Sequence, residues 1–352
     1  MSSFDHRYQL VKSGLDGGMS SASIYHDNHL DRSVLLKKLA PEVGKSRLID
    51  EISALMKLRS KNVVQIFDVL KSDGEVTSII EEFIDGPDLH EAKDLVRNTN
   101  SLLKTLWQIA SGISDIHNSG IIHRDIKPNN MKVDPEGIVK IFDFGLSRST
   151  DENSTVGYKG TMPFSAPELF TDGKHYFTKA IDTYAFGVTA LTLVKTPLEK
   201  YFVAPGIPLS PTAAENLPDD FPPKLKVLIE RCLLADPELR PDMNDMRSAI
   251  EKLLLFDMHR ALLVFKGQTK FLDASNRSAN LNINGVGSIT VQYDGAGFFV
   301  GSVSEEVTIN NGPVNKHDEI RGSKVISIGS SSRHYTERAH ITFDVSHPGV
   351  VL

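Results

Sequence analysis

Three short segments, met in a fixed order, constrain this chain more than anything else in its sequence: His123-Arg124-Asp125-Ile126-Lys127-Pro128-Asn129-Asn130, then Asp143-Phe144-Gly145, then Ala166-Pro167-Glu168. Between the first two, Met131 to Val133 and Ile138 to Phe142 read as a hairpin around Asp134-Pro135-Glu136-Gly137, whose proline and glycine supply the turn geometry. The hairpin therefore starts beside a carboxylate, a lysine and an asparagine, and its return strand ends on a second carboxylate. That arrangement suits a divalent metal held on phosphates.

The rest of the chain supplies elements to carry such a set. Ser33 to Leu39 reads as a strand, and a helix is expected from about Lys45 to Arg59, where Leu48, Ile52, Leu55, Met56 and Leu58 recur at three- and four-residue steps. Val63 to Leu70 is β-rich, and Ser72-Asp73-Gly74 turns it into Val76 to Ile84. Ser101 to His117 has helical spacing, and Ile181 to Val194 is a strongly apolar helix. Seven of the 17 prolines fall between residues 197 and 223, which predicts irregular surface structure before helices return from Pro223 to about Met258. Beyond residue 260, Asn284-Gly285, Asp294-Gly295 and Asn311-Gly312 separate short alternating runs, the pattern of an all-β module. The expected class is α+β: a domain over 1–256 with a β-rich part to 84 and a helical part over 85–256, a linker over 257–268, and a small β-sandwich over 269–352. A chain of 352 residues has room for both domains.

Charge and composition exclude several alternatives. A net charge of -6 gives no basic field, so nucleic acid is not an expected partner. The single cysteine, Cys232, rules out an intramolecular disulfide and any cysteine-based metal framework, and it fits a reducing compartment. No apolar run approaches the ~18 residues of a membrane span, and the N-terminal MSSFDHRYQL lacks an apolar signal core. A cytoplasmic protein without membrane contact is the expectation.

In their order, the three motifs resemble the catalytic signature of protein kinases. Lys127 two residues after Asp125, and Gly160-Thr161 before Ala166-Pro167-Glu168, resemble the serine/threonine-specific pattern, and Gly18-Met19 looks like the Gly-Met pair of its bacterial members. The resemblance covers about residues 7 to 256. It implies a bilobal fold that binds ATP with Mg2+ between its lobes and passes the γ-phosphoryl to Ser or Thr hydroxyls of proteins, its own activation segment included. By it, Asp125 orients the acceptor hydroxyl, Lys127 steadies the γ-phosphate, and Asn130 and Asp143 hold Mg2+. Lys37 would bind the α/β-phosphates with Glu51 as its ion-pair partner, Asp182 would brace the catalytic loop, and Arg240 would pair with Glu168. Arg124 directly before Asp125 marks members switched by phosphorylation; Arg47 and Arg148 match two further positions around that phosphate, and Thr155 and Thr161 lie in the segment concerned, Thr155 being the first choice.

The departures gather around the nucleotide. The glycine-rich loop falls at Leu15-Asp16-Gly17-Gly18-Met19-Ser20, where Leu15 and Ser20 replace the outer family glycines and Gly17 keeps the middle one. Ala22 and Leu35 exchange the family's large-small pair above adenine for a small-large pair. Counting back from Gly86, Glu81 falls at the gatekeeper, with Glu82-Phe83-Ile84 as hinge and Asp88 as ribose contact. A carboxylate buried at the gatekeeper needs a partner, so either Lys37 pairs it or one extra residue places Ile80 there. An eroded loop and an acidic gatekeeper also fit a nucleotide-binding pseudokinase scaffold, against which stands the presence of Lys37, Glu51, Asp125, Asn130 and Asp143.

The C-terminal module resembles the closing half of a forkhead-associated domain at Val307 to Gly312, Val325 to Gly329 and Ile341 to Val345, with Asn311 at its peptide-binding asparagine. The family's Ser-x-x-His falls on Gly285-Val286-Gly287-Ser288, so phosphothreonine binding is not expected. A role in contacting a protein partner is.

Overall fold

The computed structural model describes residues 6–17, 20–38, 52, 56, 58–72, 75–92, 95–144, 148–149, 154–155, 161–170, 175–346 and 348–350. The chain divides into two compact units, Met1–Ile250 and Glu251–Val351.

In the first unit, strands β1 (Tyr8–Gly17), β2 (Ser20–Asp27), β3 (Arg32–Lys38), β4 (Ile66–Ser72) and β5 (Glu75–Glu82) form an antiparallel sheet in the order β1-β2-β3-β5-β4. Alternation along β3 buries Val34 and Leu36, which join Tyr8 and Ile80 in a core on one face. The ladder pairs Ala22 with Lys37, Leu35 with Glu81 and Lys37 with Ile79, so these five residues share the other face. Arg7 ties the sheet corner by donating to the buried Asp27 at 2.9 Å, and its guanidinium holds that carboxyl below the usual carboxylate range.

The helical part begins with α1 (Thr99–Asn118), whose start is fixed by a reciprocal cap: Asn98 Oδ1 accepts from the Ser101 N–H at 2.9 Å, and Ser101 Oγ accepts from the Asn98 N–H at 3.0 Å. Its apolar stripe, including Leu102, Leu106, Ile109, Ile113 and Ile116, is fully buried. Strand β6 (Ile121–Ile122) leads into the hairpin β7 (Met131–Val133) and β8 (Val139–Ile141), and β9 (Arg148–Ser149) returns to pair with β6. Asn62 fastens the hairpin to α1, donating to the Val139 carbonyl at 2.9 Å and to Gln108 at 3.2 Å. Strands β10 (Ser154–Thr155) and β11 (His175–Tyr176) pair, and α2 (Ala180–Leu193), buried from Ile181 through Leu191, is the central helix. Helices α3 (Pro223–Cys232) and α4 (Met243–Leu254) follow.

The proline-rich stretch differs from the expected surface loop. It forms 3-10 turns at Leu198–Lys200 and Pro211–Asn216, and Leu209, Ala213, Ala214, Leu217 and Phe221 are buried. Proline suits the first position of such a turn, where no amide hydrogen is needed, and the apolar residues between prolines dock inward.

In the second unit, β12 (Ala261–Phe265), β13 (Gln268–Leu272), β14 (Ser278–Ile283), β15 (Gly287–Tyr293), β16 (Phe298–Ser304), β17 (Val307–Ile309), β18 (Gly312–Pro313), β19 (Lys324–Ile328) and β20 (Ala339–Val345) form two sheets, ordered β13-β12-β20-β19-β17-β18 and β14-β15-β16. Their inner residues, among them Leu263, Ile289, Val291, Phe298, Ile326, Ile341 and Phe343, make one core. Within the stretch read as a linker over 257–268, β12 pairs with both β13 and β20, and its Ala261 and Leu263 are buried.

The topology also separates two features that the sequence placed in one site. Gly285 and Ser288 lie at the start of β17, where Arg333 donates to the Gly285 carbonyl at 3.0 Å and the Gly329 N–H to that of Glu306 at 2.9 Å. Asn311 lies past the other end of β17, in its turn to β18, with φ of 66°. Three residues of strand, roughly 10 Å, stand between them.

Candidate active site

The loop between β6 and β7 is locked from below. Asp182, at the first turn of α2, accepts from the backbone N–H of His123 and of Arg124, both at 2.8 Å, and from His117 Nε2 at 2.9 Å. Burial alone would push the Asp182 carboxyl up, but these donors outweigh it and hold the group below the usual range. His123 is buried; its ring packs edge-on against Phe144 and its Nε2 lies 3.1 Å from the Phe142 carbonyl. Arg124 takes a positive φ of 73°, and its guanidinium sits 3.6 Å over the Phe177 ring.

Held this way, the loop gathers four side chains. Lys127 Nζ donates to Asp125 Oδ2 at 2.7 Å and to Thr161 Oγ1 at 2.8 Å. Thr161 in turn lies 3.3 Å from Asp125 Oδ1, and Asn130 Nδ2 donates to Asp125 at 2.7 Å. Asp125 is thus a carboxylate with each oxygen oriented by a neighbour, and it remains 9% exposed. The hairpin brings Asp143 to the same region: the Phe142 N–H bonds the Asn130 carbonyl at 3.0 Å, and Asp143, exposed with φ of 65°, follows at once.

Facing the sheet, Lys37 Nζ lies 3.0 Å from Glu81 Oε2, with side-chain exposures of 12% and 1%. Glu81 shares the face of Lys37 and Leu35, while Ile80 points into the opposite core. Ala22 and Ile84 are buried. The connection after β5 is drawn tight: a Cβ on Gly86 would sit 1.7 Å from the Val133 carbonyl oxygen, so only glycine fits. Lys132 pairs with Asp88 at 2.8 Å and Lys140 with Glu82 at 2.6 Å. Both lysines escaped the sequence reading, although each alternates with hairpin core residues and so pointed away from that core.

Further residues singled out from the sequence stand as follows. Glu51, Arg47 and Gly18 lie outside the described residues. Leu15, Gly17, Ser20, Arg148 and Thr155 are described only as backbone in strands; Gly17 pairs with Ser20 at the end of the β1–β2 hairpin, and Thr155 with His175. Thr161, read with the regulatory residues, lies in the Asp125 cluster. Arg240 meets Glu168 through two parallel bonds of 2.7 and 2.8 Å.

The protein kinase domain family matches residues 14–250. Among curated proteins the chain is 27% identical over 248 residues to a serine/threonine-protein kinase of Arabidopsis thaliana, covering 67% of this chain and 43% of that protein. It is 29% identical over 260 residues to a Clostridium perfringens protein carrying a serine/threonine-protein kinase name, covering 66% and 36%. With a serine/threonine/tyrosine-protein kinase of Arabidopsis thaliana it shares 29% over 211 residues, covering 57% and 53%. The chain thus spans between about a third and a half of the length of these three relatives.

Proposed function

Because the chain belongs to the protein kinase family, we propose that it is a serine/threonine protein kinase that uses ATP and Mg2+ and phosphorylates its own activation segment. The observation that carries this reading is the cluster around Asp125: a carboxylate fixed by Lys127, Asn130 and Thr161, buried but not wholly sealed from solvent.

An acceptor hydroxyl entering beside Asp125 would be oriented by the carboxylate and would lose its proton to it as the phosphorus–oxygen bond forms. Lys127, already within reach of Asp125 and Thr161, would steady the transferred phosphoryl group. Lys37 would bind the nucleotide phosphates, and the Glu82 and Ile84 backbone the adenine. The donor chemistry fits magnesium: Asn130 spends its amide N–H on Asp125, which leaves its Oδ1 as an oxygen ligand beside the exposed Asp143 carboxylate. Among the described residues there is no cluster of three or more His, Cys, Asp or Glu that could cage an ion, which suits a metal shared with phosphate oxygens. When bound, Mg2+ would neutralise charge on those oxygens.

Regulation by phosphate is part of the same proposal. A phosphorylated Thr155 would add about -1.5 to -2 charges for Arg124 and Arg148 to pair. Phosphatase treatment should then lower activity, and Arg124→Ala should blunt the difference. The β unit is proposed to select partners or substrates; its own core and the separation of Gly285 from Asn311 support a contact surface without phosphothreonine reading.

The test is incubation of the full chain with labelled ATP and Mg2+, with and without Asp125→Asn, followed by mass spectrometry of the modified side chains. Label on Ser or Thr in the wild type alone is expected. Equal label in both proteins, or none in either, would overturn the reading.

A further inference from the structure

We infer that Glu81 is a positioning residue for Lys37, a strand-borne carboxylate that sets the ammonium for the nucleotide phosphates. The inference rests on the kinase reading for what Lys37 touches. Its grounds are geometric. Lys37 and Glu81 project from adjacent antiparallel strands onto one face, in a register without irregularity between β3 and β5. Their charged atoms are 3.0 Å apart, and the carboxylate is almost wholly removed from water. At that burial an ion pair is little screened, so the carboxylate restrains the lysine strongly.

The backbone ladder fixes both ends of the pair. A lysine has four rotatable bonds and substantial rotamer freedom to lose, so an ammonium held in place beforehand meets a phosphate at lower entropic cost. An ammonium has three donors, so a bond to Glu81 does not by itself exclude one to a phosphate oxygen.

The experiment compares the full-length wild type with Glu81→Gln, which keeps the shape and removes the charge, and Glu81→Asp, which keeps the charge and shortens the reach. Two readouts are taken: ATP affinity from the Mg-ATP-induced shift in melting temperature, which needs no turnover, and the KM for ATP against the KM for a protein substrate. Glu81→Gln is expected to raise both the ATP dissociation constant and its KM about tenfold with the protein-substrate KM unchanged, and Glu81→Asp to fall between it and the wild type. A merely structural role would move both KM values or neither. Wild-type ATP affinity in either folded variant would overturn the inference. Absence of phosphoryl transfer by the wild type would instead strike the kinase reading, and the binding readout would still decide the role of Glu81.

Discussion

Lys37→Met, which removes the lysine proposed to bind the nucleotide phosphates, should cost this chain stability as well as activity. In Lys37→Met the Glu81 carboxylate, 1% exposed, loses the cation 3.0 Å away. Truncating one partner of a buried ion pair costs about 3 to 5 kcal/mol. Because the Lys37 side chain keeps 12% exposure and water can partly follow, the low end applies, about 3 kcal/mol. For a unit of this size each kcal/mol shifts the melting temperature by about 2 to 4 °C, so a fall of about 6 to 12 °C is expected. The double variant Lys37→Met/Glu81→Leu replaces the whole pair by apolar groups and should recover most of the loss while staying inactive. Thermal and urea melts of wild type, both single variants and the double variant close the cycle, with a coupling of about 2 kcal/mol expected. A Lys37→Met protein that melts with the wild type, or a double variant no more stable than Lys37→Met, would refute the reasoning.

Other outcomes follow from the same geometry. Asp125→Asn should lower kcat by about 100-fold or more, and Asp143→Ala should abolish Mg2+-dependent transfer, both read by labelled ATP. The depressed carboxyl of Asp182 contributes stability that is present above the ordinary carboxylate range, about pH 4, and is lost as pH falls through its folded value; urea melts from pH 7 to pH 3 should show the gap between wild type and Asp182→Asn narrowing in acid. Burial pushes the Cys232 thiol up to about 12, so iodoacetamide at pH 8 should modify it only after unfolding, and rapid labelling of native protein would contradict its buried place. The β unit expressed from residue 251 should bind a phosphothreonine peptide no better than its unmodified form in calorimetric titration.

The side-chain cluster around Asp125 is legible because it is local: Asp125, Lys127 and Asn130 lie within six residues, and a short loop brings them together in almost any fold that starts a hairpin at Met131. Residues that meet across strands were harder to read. Whether Glu81 or Ile80 faces Lys37 depends on register, and a slip of one residue exchanges the faces of a whole strand. The ends of the β-sandwich were equally hidden, because the number of strands between Gly285 and Asn311 decides whether they share an end. Ala261 to Phe265, an apolar run of five, has no periodicity to tell a strand from the tail of a helix. The prolines between 197 and 223 signalled the backbone correctly but not its burial, which the apolar residues beside them decide.

The bonds from Asp182 to two consecutive amides have a consequence for the protein's internal motions. The His123 and Arg124 N–H groups are tied to the first turn of a helix buried from Ile181 through Leu191, so they can be released only if that helix yields. A loop that performs chemistry usually belongs to the weakly protected part of a molecule, exchanging its amide hydrogens through small local openings. Here those two positions should exchange on the slow timescale of α2 itself, and substitutions that loosen the α2 core, far from any substrate, should first be felt as a loss of order in the loop that holds Asp125.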